Sequence, residues 1–159
     1  MSVKNITAYA EASTTTVPVM EVVMTGTSGH KKLALINEVY QNFFLYKPKK
    51  KMTRIEVRDK FGISRQALYD WQVNVIDPVP HDYAVIIRGE FYTKNGYRPT
   101  KTIRGLTIHQ VFVFWLIYQV MKLVNTYKQA IPLLGRLLEV FTKEDFDTRF
   151  EAWKSNYSV

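Results

Sequence analysis

The chain has no cysteine, which excludes disulfide frameworks and thiolate metal sites alike. Its three histidines, His30, His81 and His109, stand too far apart in sequence to suggest a local ligand cluster. No apolar run reaches the roughly 18 residues that a membrane helix requires. The best candidate, Val111 to Tyr118, is soon interrupted by Gln119 and Lys122. Met1 to Met24 lacks the basic flank, apolar centre and cleavage site of a signal peptide, so a cytoplasmic protein with no membrane partner is expected. There is no glycine-rich phosphate loop, no serine motif with an adjacent base and no metal-ligand spacing. Glu144, Asp145 and Asp147 fall at a helix start, where acids favour the helix dipole. Neither an enzyme nor a cofactor is therefore expected.

What is present is a hydrophobic fraction of 47% in 159 residues, enough for an ordinary globular core. The formal charge is +8, and it is unevenly placed. Residues 1–29 carry a net −1 and residues 105–159 a net +1, whereas residues 30–104 hold fifteen basic and seven acidic groups. The middle stretch thus equals the whole excess, and a polyanion should dock there.

Three regions follow from the patterning. Residues 1–29, rich in Thr, Ser, Ala and Val, read as a flexible arm within which Pro18 to Met24 fits a short strand. Residues 30–104 form a basic winged helix-turn-helix, and residues 105–159 a helical packing and dimerisation region. The expected fold is mostly α with a small β-wing, the winged helix-turn-helix being followed by C-terminal helices. From Lys31 to Tyr46, Leu33, Ile36, Val39, Tyr40, Phe43 and Phe44 recur at helical spacing. Lys47, Pro48, Lys49, Lys50 and Lys51 then form a basic connector.

Residues 53 to 71 carry the most specific pattern. Ile55, Val57 and Phe61 are expected to anchor a first helix, Gly62 to permit a sharp turn and Ile63 to plug the angle. Ser64 is a natural N-cap for a second helix, in which Leu68 and Trp71 face inward. Arg65, Gln66 and Tyr69 are left pointing outward at the end that enters a major groove. An Arg fork pairs with guanine and a Gln amide with adenine, while Ser64, Tyr69 and Arg54 suit phosphate. Arg58 stands four residues before Gly62, where close helix packing favours a small side chain, so it must snorkel outward or open the angle.

Asp77 to His81, with two prolines, ends the second helix. Tyr83 to Ile87, Glu90 to Thr93 and Tyr97 to Ile103 read as strands, with Lys94-Asn95-Gly96 as a hairpin turn. In this wing Arg88, Lys94, Arg98, Lys101 and Arg104 would hold phosphates, as would Lys49, Lys50 and Lys51. Thr107 to Asn125 should be a helix buried nearly all round, although Val111 to Phe114 also fits a strand. Thr126 to Phe141 and Lys143 to Trp153 read as two more helices.

The order of parts over residues 53–135 resembles the MerR-like winged helix-turn-helix DNA-binding proteins. Ser64, Leu68, Tyr69 and Trp71 stand in the arrangement of that family's recognition helix, Val75, Ile76 and Pro78 echo its exit, and Gly96, Tyr97 and Arg98 its wing. The resemblance implies double-stranded DNA as partner and a role in transcription regulation.

One such reading head covers few base pairs, so a homodimer is expected. Phe141, Phe146, Phe150 and Trp153, with Leu133, Leu134, Leu137 and Leu138, would supply its interface, or else pack against Val111 to Met121 within one chain. The leading expectation is a sequence-specific transcriptional regulator. The alternatives are a DNA-architectural factor of a phage, plasmid or mobile element, such as an excision factor or packaging small subunit, and a protein-interaction module on the same scaffold.

Overall fold

In the computed structural model, which describes residues 17–24, 29–76, 78 and 106–157, the apolar run after Thr107 forms the axis of the molecule. Thr107 Oγ1 accepts from the Gln110 amide at 3.2 Å while Gln110 Oε1 accepts from the Thr107 amide at 2.8 Å. This reciprocal cap starts a helix at Ile108. Every residue from Ile108 to Ile117 is buried, so the helix is covered on all sides, and the strand alternative for Val111 to Phe114 gives way to it. A uniformly apolar run cannot favour one face, and only enclosure by other helices makes it stable.

The elements in chain order are α1 (Val19–Met24), α2 (Gly29–Phe44), β1 (Lys51–Met52), α3 (Arg54–Phe61), α4 (Arg65–Trp71), β2 (Leu106–Thr107), α5 (Ile108–Met121), α6 (Tyr127–Val140) and α7 (Lys143–Tyr157). The described chain is mostly helical, with one two-stranded antiparallel sheet that pairs Lys51 with Thr107 and Met52 with Leu106. The central helix α5 packs against α1, α4, α6, α7 and both strands. Buried apolar residues from Val19 to Phe150 belong to a single cluster.

The segment read as a short strand, Pro18 to Met24, is helical from Val19 onward. Val19 and Val22 are buried, and their three-residue spacing puts both on one helical face against α5 and α6. Tertiary burial here overrides the strand preference of β-branched side chains.

Phe141, Phe146 and Phe150 at the C-terminal end are spent inside the chain. The Phe146 ring of α7 stacks on Phe112 of α5 at 4.7 Å. Tyr40 of α2 stacks on Phe112 from 5.2 Å, Phe43 meets the same ring edge-on at 5.0 Å, and Trp153 stacks on Phe44 at 5.2 Å. Phe141, Phe146, Phe150, Leu134, Leu137 and Leu138 are all buried. Of the two packings open to these residues, the intramolecular one is realised. Arg149 seals this layer: its guanidinium lies 4.6 Å from the centre of the Tyr40 ring and donates to Asn37 Oδ1 at 2.7 Å and Asp145 Oδ2 at 2.9 Å. Burial, and then the Asp145 carboxylate, raise the Tyr40 hydroxyl far above its usual pKa.

Candidate nucleic-acid interface

The sequence from Thr53 to Trp71 folds as two short helices whose ends are fixed by their own side chains. Thr53 Oγ1 accepts from the Glu56 amide at 3.1 Å and Glu56 Oε1 from the Thr53 amide at 3.0 Å, closing a capping box at the start of α3. Glu56 at this end, and Arg58 and Lys60 at the other, complement the helix dipole. Gly62 ends α3 in the left-handed region, φ 68° and ψ 35°, with its amide donating to the Arg58 carbonyl. In this conformation a Cβ crowds the neighbouring carbonyl oxygen, so glycine is favoured at the turn. Ser64 then caps α4, its Oγ accepting from the Ala67 amide at 3.1 Å.

Helical register decides which side chains face the core. Val57 and Phe61 are buried, and Arg54 and Arg58 share their face, each half-buried. Arg54 therefore turns inward: its Nη2 donates to Gln72 Oε1 at 3.0 Å and the guanidinium lies 6.0 Å from the Phe114 ring centre. Burial lowers its pKa. Arg58 remains half-buried, with Nε enclosed and making no hydrogen bond among the described residues. Ile55, expected as an anchor, is 61% exposed; it sits two residues before Val57, about 200° around the helix, so both cannot face the core.

In α4, Leu68 and Trp71 are buried, with Trp71 stacked at 5.9 Å on Tyr118 of α5. Phe61 stacks on the same Tyr118 from 6.0 Å, so this one ring anchors both short helices. The chain continues past Trp71 as a π-helical turn, Gln72–Ile76, that keeps Gln72, Val75 and Ile76 buried. Ser64, Arg65 and Gln66 are exposed, as is Tyr69 at 53%. Gln66 Nε2 donates to Asp70 Oδ1 at 2.7 Å. Asp70 is half-buried and close enough to the start of α6 that its charge adds to the effect of burial in raising the Tyr127 pKa.

Lys49, Lys50 and Lys51 are exposed. Lys49 forms an ion pair with Glu56, which, as the first of several contacts, holds the Glu56 carboxyl below its usual range. Lys50 and Lys51 lie along β1 and the bend before it. Lys60, absent from the expected set, donates to the Tyr46 carbonyl at 2.8 Å, which adds an exposed cation beside Lys47. The contact spans 14 residues and no local pattern announces it. Arg88, Lys94, Arg98, Lys101 and Arg104, with the expected wing strands, lie outside the described residues.

Chemically, the exposed surface offers ammonium groups for anions, a hydroxyl at the N-cap of α4 and, on α4 itself, a guanidinium, an amide and a phenol. Among the described residues no group of three or more His, Cys, Asp or Glu side chains could hold a metal ion, and no helix is long and apolar enough to cross a membrane. Comparison with family models, curated proteins and solved structures finds no match.

Proposed function

We propose that α3, the Gly62–Ser64 turn and α4 form a helix-turn-helix that reads double-stranded DNA, and that the protein is a sequence-specific transcriptional regulator. One observation carries this reading: Ser64, Arg65, Gln66 and Tyr69 are all exposed on a helix whose Leu68 and Trp71 are buried. That helix lies in the 30–104 stretch, whose fifteen basic and seven acidic groups equal the chain's entire +8. Arg65 and Gln66 have the donor and acceptor sets that distinguish guanine and adenine in the major groove. Lys49, Lys50, Lys51 and Lys60 supply charge for phosphate, which fixes register without reading sequence. Arg54, bonded to Gln72, positions the start of α3 against the π-helical turn.

The test is binding of the full chain to mixed-sequence duplex DNA, followed by fluorescence anisotropy over a range of salt. Affinity should fall linearly on a log–log plot, by roughly 0.9 in slope per phosphate contacted. Lys50→Ala with Lys51→Ala should flatten that slope, while Arg65→Ala with Gln66→Ala should leave most of this non-specific binding in place. Absence of salt-sensitive DNA binding would remove the reading.

A further inference from the structure

Gln66 and Asp70 are one helical turn apart, and a single hydrogen bond of 2.7 Å joins Gln66 Nε2 to Asp70 Oδ1. An ionised carboxylate only accepts hydrogen bonds, so the amide must turn its NH2 group toward Asp70. The flip of this amide is settled by chemistry. A primary amide has two N–H bonds, one on the side of its oxygen and one opposite. If the opposite one serves Asp70, the other remains beside Oε1 and faces outward with it.

In that arrangement the free edge of the amide is one donor next to one acceptor. Adenine presents the complement in the major groove, with N7 accepting and N6 donating. Guanine presents two acceptors, N7 and O6, and a pinned Oε1 would face one of them with no hydrogen between. An unpinned glutamine could instead rotate and offer its NH2 group to guanine. Resting on the DNA-reading role of α4, we propose that Asp70 is a positioning residue that fixes the Gln66 amide and so makes it select adenine over guanine. The position of Asp70 accounts for an otherwise unfavourable feature, an acid on the helix that approaches a polyanion. Asp70 is half-buried beside the start of α6.

The experiment is selection from a randomised duplex library with the full chain as wild type, Gln66→Ala, Asp70→Asn and Asp70→Glu. The asparagine variant can donate as well as accept, and so permits the reversed amide. The glutamate variant keeps an acceptor-only group at the spacing where Gln and acidic side chains meet on a helix. Wild type should prefer adenine over guanine at one base by on the order of tenfold, the lower-middle range of one bidentate contact. Gln66→Ala and Asp70→Asn should lose that preference with the remaining positions unchanged, and Asp70→Glu should retain it. An adenine preference undiminished in Asp70→Asn, or a loss spread evenly over all positions in both Asp70 variants, would overturn the proposal. If wild type selects no motif at all, the DNA-reading role fails and the proposal with it, an outcome distinct from a motif that ignores Asp70.

Discussion

Replacing Phe146 with alanine should cost the protein about 3–5 kcal/mol of stability. The ring is 0% exposed and lies against Phe112 at 4.7 Å, His109 at 5.5 Å, Phe43 at 6.0 Å and Phe150 at 6.1 Å. Removing on the order of 150 Å² of buried ring at roughly 25 cal/mol/Å² gives about 4 kcal/mol before any cavity term. A typical domain has only about 5–15 kcal/mol in total. Urea unfolding followed by tryptophan fluorescence would measure the loss, since Trp115 is 5.4 Å from Phe43 in the same layer. The comparison variant is Leu123→Ala: Leu123 is 59% exposed, and its replacement should change stability by no more than about 0.5 kcal/mol. A loss under about 1 kcal/mol for Phe146→Ala would refute the intramolecular packing of α7. So would a loss that appears only as a dependence on protein concentration, because the ring would then belong to an interface between chains.

The turn, Arg54 and the Lys49–Glu56 pair give further expectations. Gly62→Ala places a Cβ at φ 68° and should destabilise by about 1–2 kcal/mol, with Gly62→Asn costing less, as urea midpoints would show. Arg54→Met leaves Gln72 Oε1 without its donor and should cost about 1–3 kcal/mol while leaving the salt slope of DNA binding unchanged. A slope reduced by about 0.9 would mean that Arg54 contacts phosphate instead. The Lys49 contact lowers the Glu56 pKa from 4.5. The folded value lies below the unfolded one, so this contribution is fully present above about pH 4.5 and is lost as pH falls through the lower folded value. An NMR titration should find Glu56 below 4.5, moving back toward that value in Lys49→Ala and in high salt. A wild-type Glu56 titrating at or above 4.5 would contradict the ion pair.

Much of the local structure was legible because its causes are local. The helix starts at Thr107 and Thr126 and the Ser64 cap were read from spacing, and the bonds that fix them close within four residues. The run around Val111 to Ile117 could only be stable when enclosed. Register was harder to read: Ile55 looks like an anchor and Arg54 like a free cation, yet the inward face set by Val57 and Phe61 takes Arg54 and leaves Ile55 in water. The helix at Val19–Met24 was illegible because burial against α5 and α6, which are more than 80 residues away in sequence, outweighs its strand preference. The fate of Phe141, Phe146 and Phe150 was likewise open, since an apolar helix face serves an oligomer and a core equally well until Tyr40, Phe43 and Phe112 are found opposite it. At the candidate interface, the residue types of Ser64, Arg65, Gln66 and Tyr69 could be read from spacing. The Gln66–Asp70 bond and the Lys60–Tyr46 contact depend on which rotamers the folded neighbours allow.

The central claim is that the exposed face of α4 reads DNA, and the most direct measurement is genome-fragment selection at near-physiological salt. It would compare purified wild type with Arg65→Ala, Gln66→Ala. Wild type should enrich a defined motif whose symmetry reports the number of subunits bound, and the double variant should lose that motif while keeping weak, salt-sensitive binding. Enrichment of the same motif by both proteins, or of no motif by either, would contradict the claim.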